Sequence, residues 1–258
     1  MKVTLLRSAV DDGDSIPCQY ATSFVINGSI AVDAGCLGFV GHPDDQAKIK
    51  HVLITHSHID HIATLPIFVE NAFEGKRECV QIYGSDAVLT ALTQDIFNNR
   101  VWPDFVALSP PGSPAPFMKL HQIVPGQAFQ IEGITITPVE VNHVVPTTGF
   151  ILNDGKSSFI IVSDTGPTEE IWRVAQKTPN LKGVFLEVTF PNAMERLAVI
   201  SKHLTPNMMA DELKKVSPSV PVYAVHLKAR FRDAVASELA ALKLPNLHLA
   251  KFQSPYEF

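Results

Sequence analysis

Two kinds of hydrophobic pattern alternate along the chain. Val3–Leu6, Ala21–Ile26 and Ile30–Val32 are short runs rich in β-branched and aromatic residues, which predicts strands. Asn27-Gly28 lies between the second and third of them and is a strong two-residue hairpin turn. The rhythm then lengthens. The polar segment Asp44–Lys50 predicts a helix and Val52-Leu53-Ile54 a strand. Ala63–Phe73 predicts a helix that tolerates Pro66 only in its first turn. Val80–Tyr83 is the next strand, followed by a helix capped by Ser85 with Leu89, Leu92 and Ile96 on one face. Residues 101–118 break the pattern, with Pro103, Pro110, Pro111, Pro114 and Pro116 interleaved with Trp102, Phe105 and Phe117. They form a loop or lid that covers a site, makes a subunit contact or runs over the surface.

The second half takes up the same order. Ile134–Ile136 and Val139–His143 are strands, with Pro138 marking an edge or bulge. Phe150–Leu152, the turn Asn153-Asp154-Gly155 and Phe159–Asp164 read as a hairpin, and Thr168–Lys177 as a helix. Strand Gly183–Val188 is followed by helices around Glu195–Val199 and after Thr205-Pro206, where Thr205 caps and Pro206 takes the first helical position. Val220–His226, Arg232–Leu242 and Leu247–Phe252 complete the series as strand, helix and strand. There is no sequence repeat. Length leaves open one large α/β domain or two small ones, and the order β-rich, βα, β-rich, βα agrees with two similar halves packed as one domain over residues 1–258.

Bulk composition narrows the function. With 46% hydrophobic and 18% charged residues the chain can bury a full core, so general disorder is excluded. The net charge of −5 leaves no global basic footprint for a polyanion, which argues against a large RNA substrate. Cys18, Cys36 and Cys79 form no C-x-x-C spacing and no disulfide framework, which suits a reducing compartment. With neither a signal peptide nor a run of membrane-spanning length, the expectation is a cytoplasmic protein with no membrane partner.

The candidate chemistry is concentrated at His56-Ser57-His58-Ile59-Asp60-His61, directly after the apolar Val52–Ile54 strand. His56, His58, Asp60 and His61 are all metal-ligand types, and burying such imidazoles without partners would cost several kcal/mol. At the end of a buried strand His56 and His58 share a face, while Asp60 and His61 start a helix. Three more polar residues stand where buried strands stop: His143, Asp164 and His226. Open α/β sheets place their sites at such ends.

The pattern H-x-H-x-D-H resembles the signature of the metallo-β-lactamase superfamily, which implies a four-layer αβ/βα sandwich carrying one or two metals. By that resemblance His56, His58 and His143 bind one metal, Asp60, His61 and His226 a second, and Asp164 bridges them. Asp33, at the end of its strand, matches an aspartate that supports the metal-binding loop; a local turn bond is the other reading. A His/Asp set without thiolate suits two divalent ions, zinc first, with manganese or iron as the alternatives. Such a pair lowers the pKa of a shared water towards about 7 and clamps an in-line displacement at phosphorus. The nucleophile would then be a metal-bridging hydroxide, with Asp60 among the catalytic residues.

Leu186-Glu187-Val188-Thr189-Phe190, Ser201-Lys202-His203-Leu204-Thr205-Pro206 and Val225-His226-Leu227-Lys228 resemble blocks of the class II cyclic nucleotide phosphodiesterases and, next, of ribonuclease Z-type enzymes. His203 would bind phosphate and protonate the leaving ribose oxygen. Glu187 would orient His203 or a ligand, or else be a surface charge. Ile59 replaces the usual glycine of the RNA-processing enzymes, Leu227-Lys228 replaces their aromatic-Ser segment, and no basic glycine-rich arm is present. Ala63-Thr64-Leu65-Pro66 departs from the phosphodiesterase pattern. The expectation is hydrolysis of a small-molecule 3′,5′-cyclic nucleotide to its 5′-monophosphate by a homodimer. The alternatives are an RNA phosphodiesterase, a thioester or lactone hydrolase and, in a different class, a metal-binding sensor or redox protein on the same scaffold.

Overall fold

A computed structural model describes residues 1–8, 18–73, 79–109 and 115–258. Their strands form two seven-stranded mixed sheets of the same design. In the first, β1 (Lys2–Leu5), β2 (Phe24–Ile26) and β3 (Ile30–Val32) are antiparallel neighbours, and β4 (His51–Leu53), β5 (Val80–Gly84) and β6 (Met118–Gln122) continue from β3 in parallel. In the second, β8 (Ile134–Val141), β9 (Thr147–Asn153) and β10 (Ser158–Ile161) are antiparallel, and β11 (Leu181–Glu187), β12 (Val222–Val225) and β13 (Leu247–Leu249) are parallel. An extra antiparallel strand closes one edge of each sheet: β14 (Tyr256–Glu257) beside β1, and β7 (Phe129–Ile131) beside β8.

Three apolar layers separate four structural layers. Along β12, Val222 and Ala224 face the helices while Val225 faces the other sheet. Along β3, Ile30 and Val32 point between the sheets and Ala31 points to the outer helices. This period of two explains why the parallel strands read as continuous apolar runs: both of their faces are covered. Phe24, Phe150, Phe159 and Phe185 fill the inter-sheet layer, where Phe24 and Phe185 meet edge to face at 5.1 Å.

Several predicted boundaries shift for local reasons. The helix expected over Ala63–Phe73 shortens to α3 (Leu65–Asn71), with Pro66 in its first turn, where its missing N–H is harmless, and the helix expected to start at Asp60 and His61 is the single turn α2 (Ile59–Ile62). The helix expected over Asp44–Lys50 is the single turn α1 (Pro43–Gln46). Ser85 caps α4 (Asp86–Ala91) through Val88 N–H, and the chain continues as π-helical turns over Leu92–Ile96. Pro138 lies within β8 beyond the register covered by β7, so no ladder partner misses its N–H. The strand expected over Leu247–Phe252 shortens to Leu247–Leu249. Pro110, Pro111 and Pro114 of the proline-rich segment lie outside the described residues. Phe105 and Phe117 on either side stack at 4.4 Å against the core under the first helical layer. All three cysteines are free and buried. Among the described residues no helix is long and apolar enough to cross a membrane.

Candidate active site

The site residues come from the ends of strands in both sheets. After β4 the backbone runs through Thr55 and His56 into α2, whose first residues carry Asp60 and His61. His143 follows β8, Asp164 follows β10, Glu187 ends β11 and His226 follows β12 at a positive φ of 62°. His203 follows α5 (Glu195–Ser201), which ends at Lys202 in the left-handed region. Gly35 lets the turn sit close to its neighbours, because a Cβ there would stand 2.0 Å from the Asp60 carbonyl oxygen and 2.8 Å from Thr22 backbone atoms.

The seven expected metal ligands converge, with His203, Glu187 and Asp33 beside them. Ligand atoms of His56, His58, His143 and Asp164 lie within 4.8 Å of one another, as do those of Asp60, His61 and His226, and those of Asp164, His203 and His226. His143 Nε2 stands 3.2 Å from His58 Nδ1, His61 Nε2 3.3 Å from Asp164 Oδ1, and His226 Nε2 3.2 Å from Asp60 Oδ2 and 3.5 Å from Asp164 Oδ2.

The hydrogen bonds behind these atoms fix which nitrogens carry protons. The Asp33 carboxylate accepts from Thr55 N–H at 2.8 Å, from the Thr55 hydroxyl at 2.9 Å and from His61 Nδ1 at 2.6 Å. With its proton committed to Asp33, Thr55 Oγ1 accepts from His56 Nδ1 at 3.0 Å. Thr189 repeats the arrangement, donating to Glu187 Oε2 at 2.9 Å and accepting from His226 Nδ1 at 3.0 Å. His143 Nδ1 donates to the Lys202 carbonyl at 3.0 Å. In His56, His61, His143 and His226 the outer nitrogen is thus the N–H, and Nε2 points its lone pair at other lone pairs and at two carboxylates.

That arrangement is repulsive unless positive charge lies at its centre. Nε2 of both His56 and His61 is buried without a hydrogen bond of acceptable geometry. One source of charge is a proton. Burial pushes His61 towards neutrality, but Asp164 and Asp33 outweigh it and hold its pKa well above the usual histidine value. Burial likewise favours a neutral Asp164, yet His226 and His61 keep it ionised well below the usual carboxylate range. For Asp60, burial is again outweighed, by the His226 bond and by His61, His226 and Lys228. Burial drives His56 well below the usual histidine value, so it is a neutral donor. The other source is divalent cations, whose binding would exchange for the His61 proton. Imidazole Nε2 lone pairs, carboxylates and no thiolate fit such ions.

His203 stands beside this cluster. Its Nδ1 donates to Glu187 Oε1 at 2.6 Å, and its ring stacks on His226 at 5.6 Å and 12°. Glu187 is 1% exposed, which removes the surface-charge reading, and it also accepts from Thr165 N and Leu204 N. Burial lowers the His203 pKa and Glu187 more than restores it, so the ring holds a proton more firmly than a free histidine.

Residues 29–227 match the beta-lactamase superfamily domain. The chain belongs to this superfamily. Two 3′,5′-cyclic-nucleotide phosphodiesterases, one from Aliivibrio fischeri and one from Yersinia pestis named as probable, are 30% identical over 186 residues and 26% identical over 212. These matches cover 64% and 73% of the chain, which spans 53% and 60% of those relatives' own lengths. The fold of unliganded yeast PDE1 superposes with a TM-score of 0.79 at 19% identity, covering 98% of both chains. The metallo-β-lactamase sandwich expected from the central motif is therefore the fold observed, and it implies divalent metal ions at the His/Asp cluster.

Sequence reasoning missed the residues that hold the site's side chains. Thr55, Thr189 and the Lys202 carbonyl orient histidines, and Gln19 accepts from His226 N–H at 2.8 Å. Lys228 was visible only as part of a block; its Nζ lies 3.0 Å from Asp60 Oδ2. The polar period of two in Glu187-Val188-Thr189 was the available signal for Thr189.

Proposed function

We propose that this chain is a binuclear metal-dependent phosphodiesterase that hydrolyses 3′,5′-cyclic nucleotides to 5′-monophosphates. The observation that carries the reading is the Glu187–His203 pair standing beside a convergent set of Nε2 lone pairs and carboxylates. His56, His58 and His143 would hold one divalent ion and Asp60, His61 and His226 the other, with Asp164 shared; zinc is the first expectation. When bound, two such ions activate water and neutralise charge that builds on phosphorus.

The protein's own groups supply the rest. Water oxygen bonds to phosphorus, the P–O3′ bond breaks, and O3′ takes a proton from His203 Nε2, the nitrogen left open by the Glu187 bond. Asp60 turns Oδ2 to both Lys228 Nζ and His226 Nε2, which leaves Oδ1 to take the proton that the water gives up. Glu187 stabilises the imidazolium before transfer and holds the ring in place afterwards. The relatives' names support the cyclic nucleotide as substrate, and the negative net charge weighs against a large RNA.

Release of 5′-monophosphate from cyclic AMP or cyclic GMP by the zinc- or manganese-loaded protein tests this directly, with bis(p-nitrophenyl) phosphate as a generic diester. The expected result is a far higher kcat/KM on the cyclic nucleotide. Turnover of the generic diester alone would redirect the reading to RNA, and turnover of neither to carbonyl chemistry.

A further inference from the structure

Two lysines touch candidate-site residues among the described residues. Lys202 Nζ donates to the His143 carbonyl, a bond that ties the end of the Glu195–Ser201 helix to the segment after β8. Lys228 is different. Its backbone is pinned by a bridge to Gln19 and by the turn that follows, while its side chain is 42% exposed and reaches Asp60 Oδ2 at 3.0 Å. The same Asp60 oxygen lies 3.2 Å from His226 Nε2. Lys228 and His203 therefore flank the His226 ring, one through Asp60 and the other by stacking.

Asp60 cannot serve two cations equally. A divalent ion held by Asp60, His61 and His226 would withdraw charge from the carboxylate that now neutralises Lys228, and would repel the ammonium as well. A lysine in that position is stabilised by a new anion facing both itself and the ions. The substrate class proposed above supplies one, since a phosphodiester has two non-bridging oxygens that share a negative charge.

We propose that Lys228 is a substrate-binding residue that donates from Nζ to a non-bridging phosphate oxygen. The assignment rests on the phosphodiesterase reading for the identity of the anion. Lysine suits the role as a compact point charge on a flexible stem, able to leave Asp60 for the phosphate without backbone movement. The same contact grips the product monophosphate, which carries more negative charge than the diester.

The test compares wild type with Lys228→Ala and Lys228→Arg, all loaded with zinc. Metal per chain is counted, inorganic phosphate binding is followed by calorimetry, and kcat and KM are measured on cyclic AMP. The expected result for Lys228→Ala is Kd for phosphate and KM raised about ten- to hundredfold, the size of one hydrogen bond to a charged group, with kcat changed far less. Metal content stays unchanged, and Lys228→Arg recovers most of the binding. Unchanged phosphate affinity in Lys228→Ala would overturn the assignment. So would a loss of metal that accounts for the activity change, which would make Lys228 a support for Asp60. If wild type fails to turn over cyclic AMP but binds phosphate through Lys228, the cyclic nucleotide reading falls and the role of the lysine stands.

Discussion

Replacing Glu187 by Gln probes how the two halves of the site divide their work. The carboxylate is buried and accepts four bonds: His203 Nδ1 at 2.6 Å and Thr165 N at 3.1 Å on Oε1, and Thr189 Oγ1 at 2.9 Å and Leu204 N at 3.3 Å on Oε2. Glutamine keeps one oxygen and turns an amide NH2 towards two of those donors, at a cost of about 1–3 kcal/mol for each donor orphaned. The charge is lost as well. A hydrogen bond to a charged group contributes about 1.5–3 kcal/mol, and if that difference falls wholly on proton transfer from His203, kcat drops about 10- to 150-fold. Because Glu187 raises the His203 pKa, the protonated ring persists above the usual histidine pKa of 6.5 and is lost as pH rises through the folded value. Glu187→Gln should therefore move the alkaline limb of kcat to lower pH. It should also remove the stability that this pair adds below that limb. The assay is kcat against pH on cyclic AMP, with metal counted and the melt recorded for each protein. Wild-type kcat with an unmoved alkaline limb and full metal would refute the proton-donor role; loss of metal would instead make Glu187 a support for His226 through Thr189.

Three further outcomes are expected. Asp33→Asn should weaken metal binding about 10- to 100-fold, as loss of a support behind a ligand histidine does, and a competitive chelator titration measures it. Gly35→Ala should lower metal content and stability together, because the added Cβ meets backbone atoms of Asp60 and Thr22 that cannot turn away; metal analysis and thermal melting check both. Zinc uptake should release protons and tighten as pH rises, since the metal-free site holds a proton on His61 that the ion must displace. Calorimetry in buffers of different ionisation enthalpy reads that proton directly.

The fold was legible wherever burial on both faces leaves an unbroken apolar run, as in Val52-Leu53-Ile54 and Ile160-Ile161-Val162. It was not legible at the edges. β14 is two residues long and owes its existence to β1 at the other end of the chain, and β6 follows the proline-rich segment, whose punctuation hides its alternation. In the site, His56 to His61 announces itself by density, and His143, Asp164 and His226 by their places after apolar strands. Glu187 could not be sorted into core or surface from sequence, because a carboxylate at a strand end is compatible with either and the donors that receive it lie up to 22 residues away. Thr55 and Thr189 are small polar residues with no pattern of their own, and only the bonds on both sides of each hydroxyl reveal their work.

Those bonds also show a correspondence that no sequence repeat carries. In the first half Asp33 receives the Thr55 hydroxyl, Thr55 receives His56 Nδ1, and a second histidine, His61, donates to Asp33 at 2.6 Å. In the second half Glu187 receives the Thr189 hydroxyl, Thr189 receives His226 Nδ1, and a second histidine, His203, donates to Glu187 at 2.6 Å. Two related sheets thus build the same carboxylate–threonine–histidine chain with a satellite histidine on each carboxylate. The satellites differ in what meets the other nitrogen. His61 Nε2 is buried and faces Asp164 at 3.3 Å, an environment that demands a cation. His203 meets Asp164 less closely, its ligand atom within 4.8 Å of those of Asp164 and His226 and its ring beside His143 and His226, where it can give a proton away. If that difference sets the two roles, the matched substitutions must part company: Asp33→Asn should lose metal, and Glu187→Gln should lose turnover while keeping it. Equal metal loss in both would mean that the second chain, like the first, exists to hold an ion.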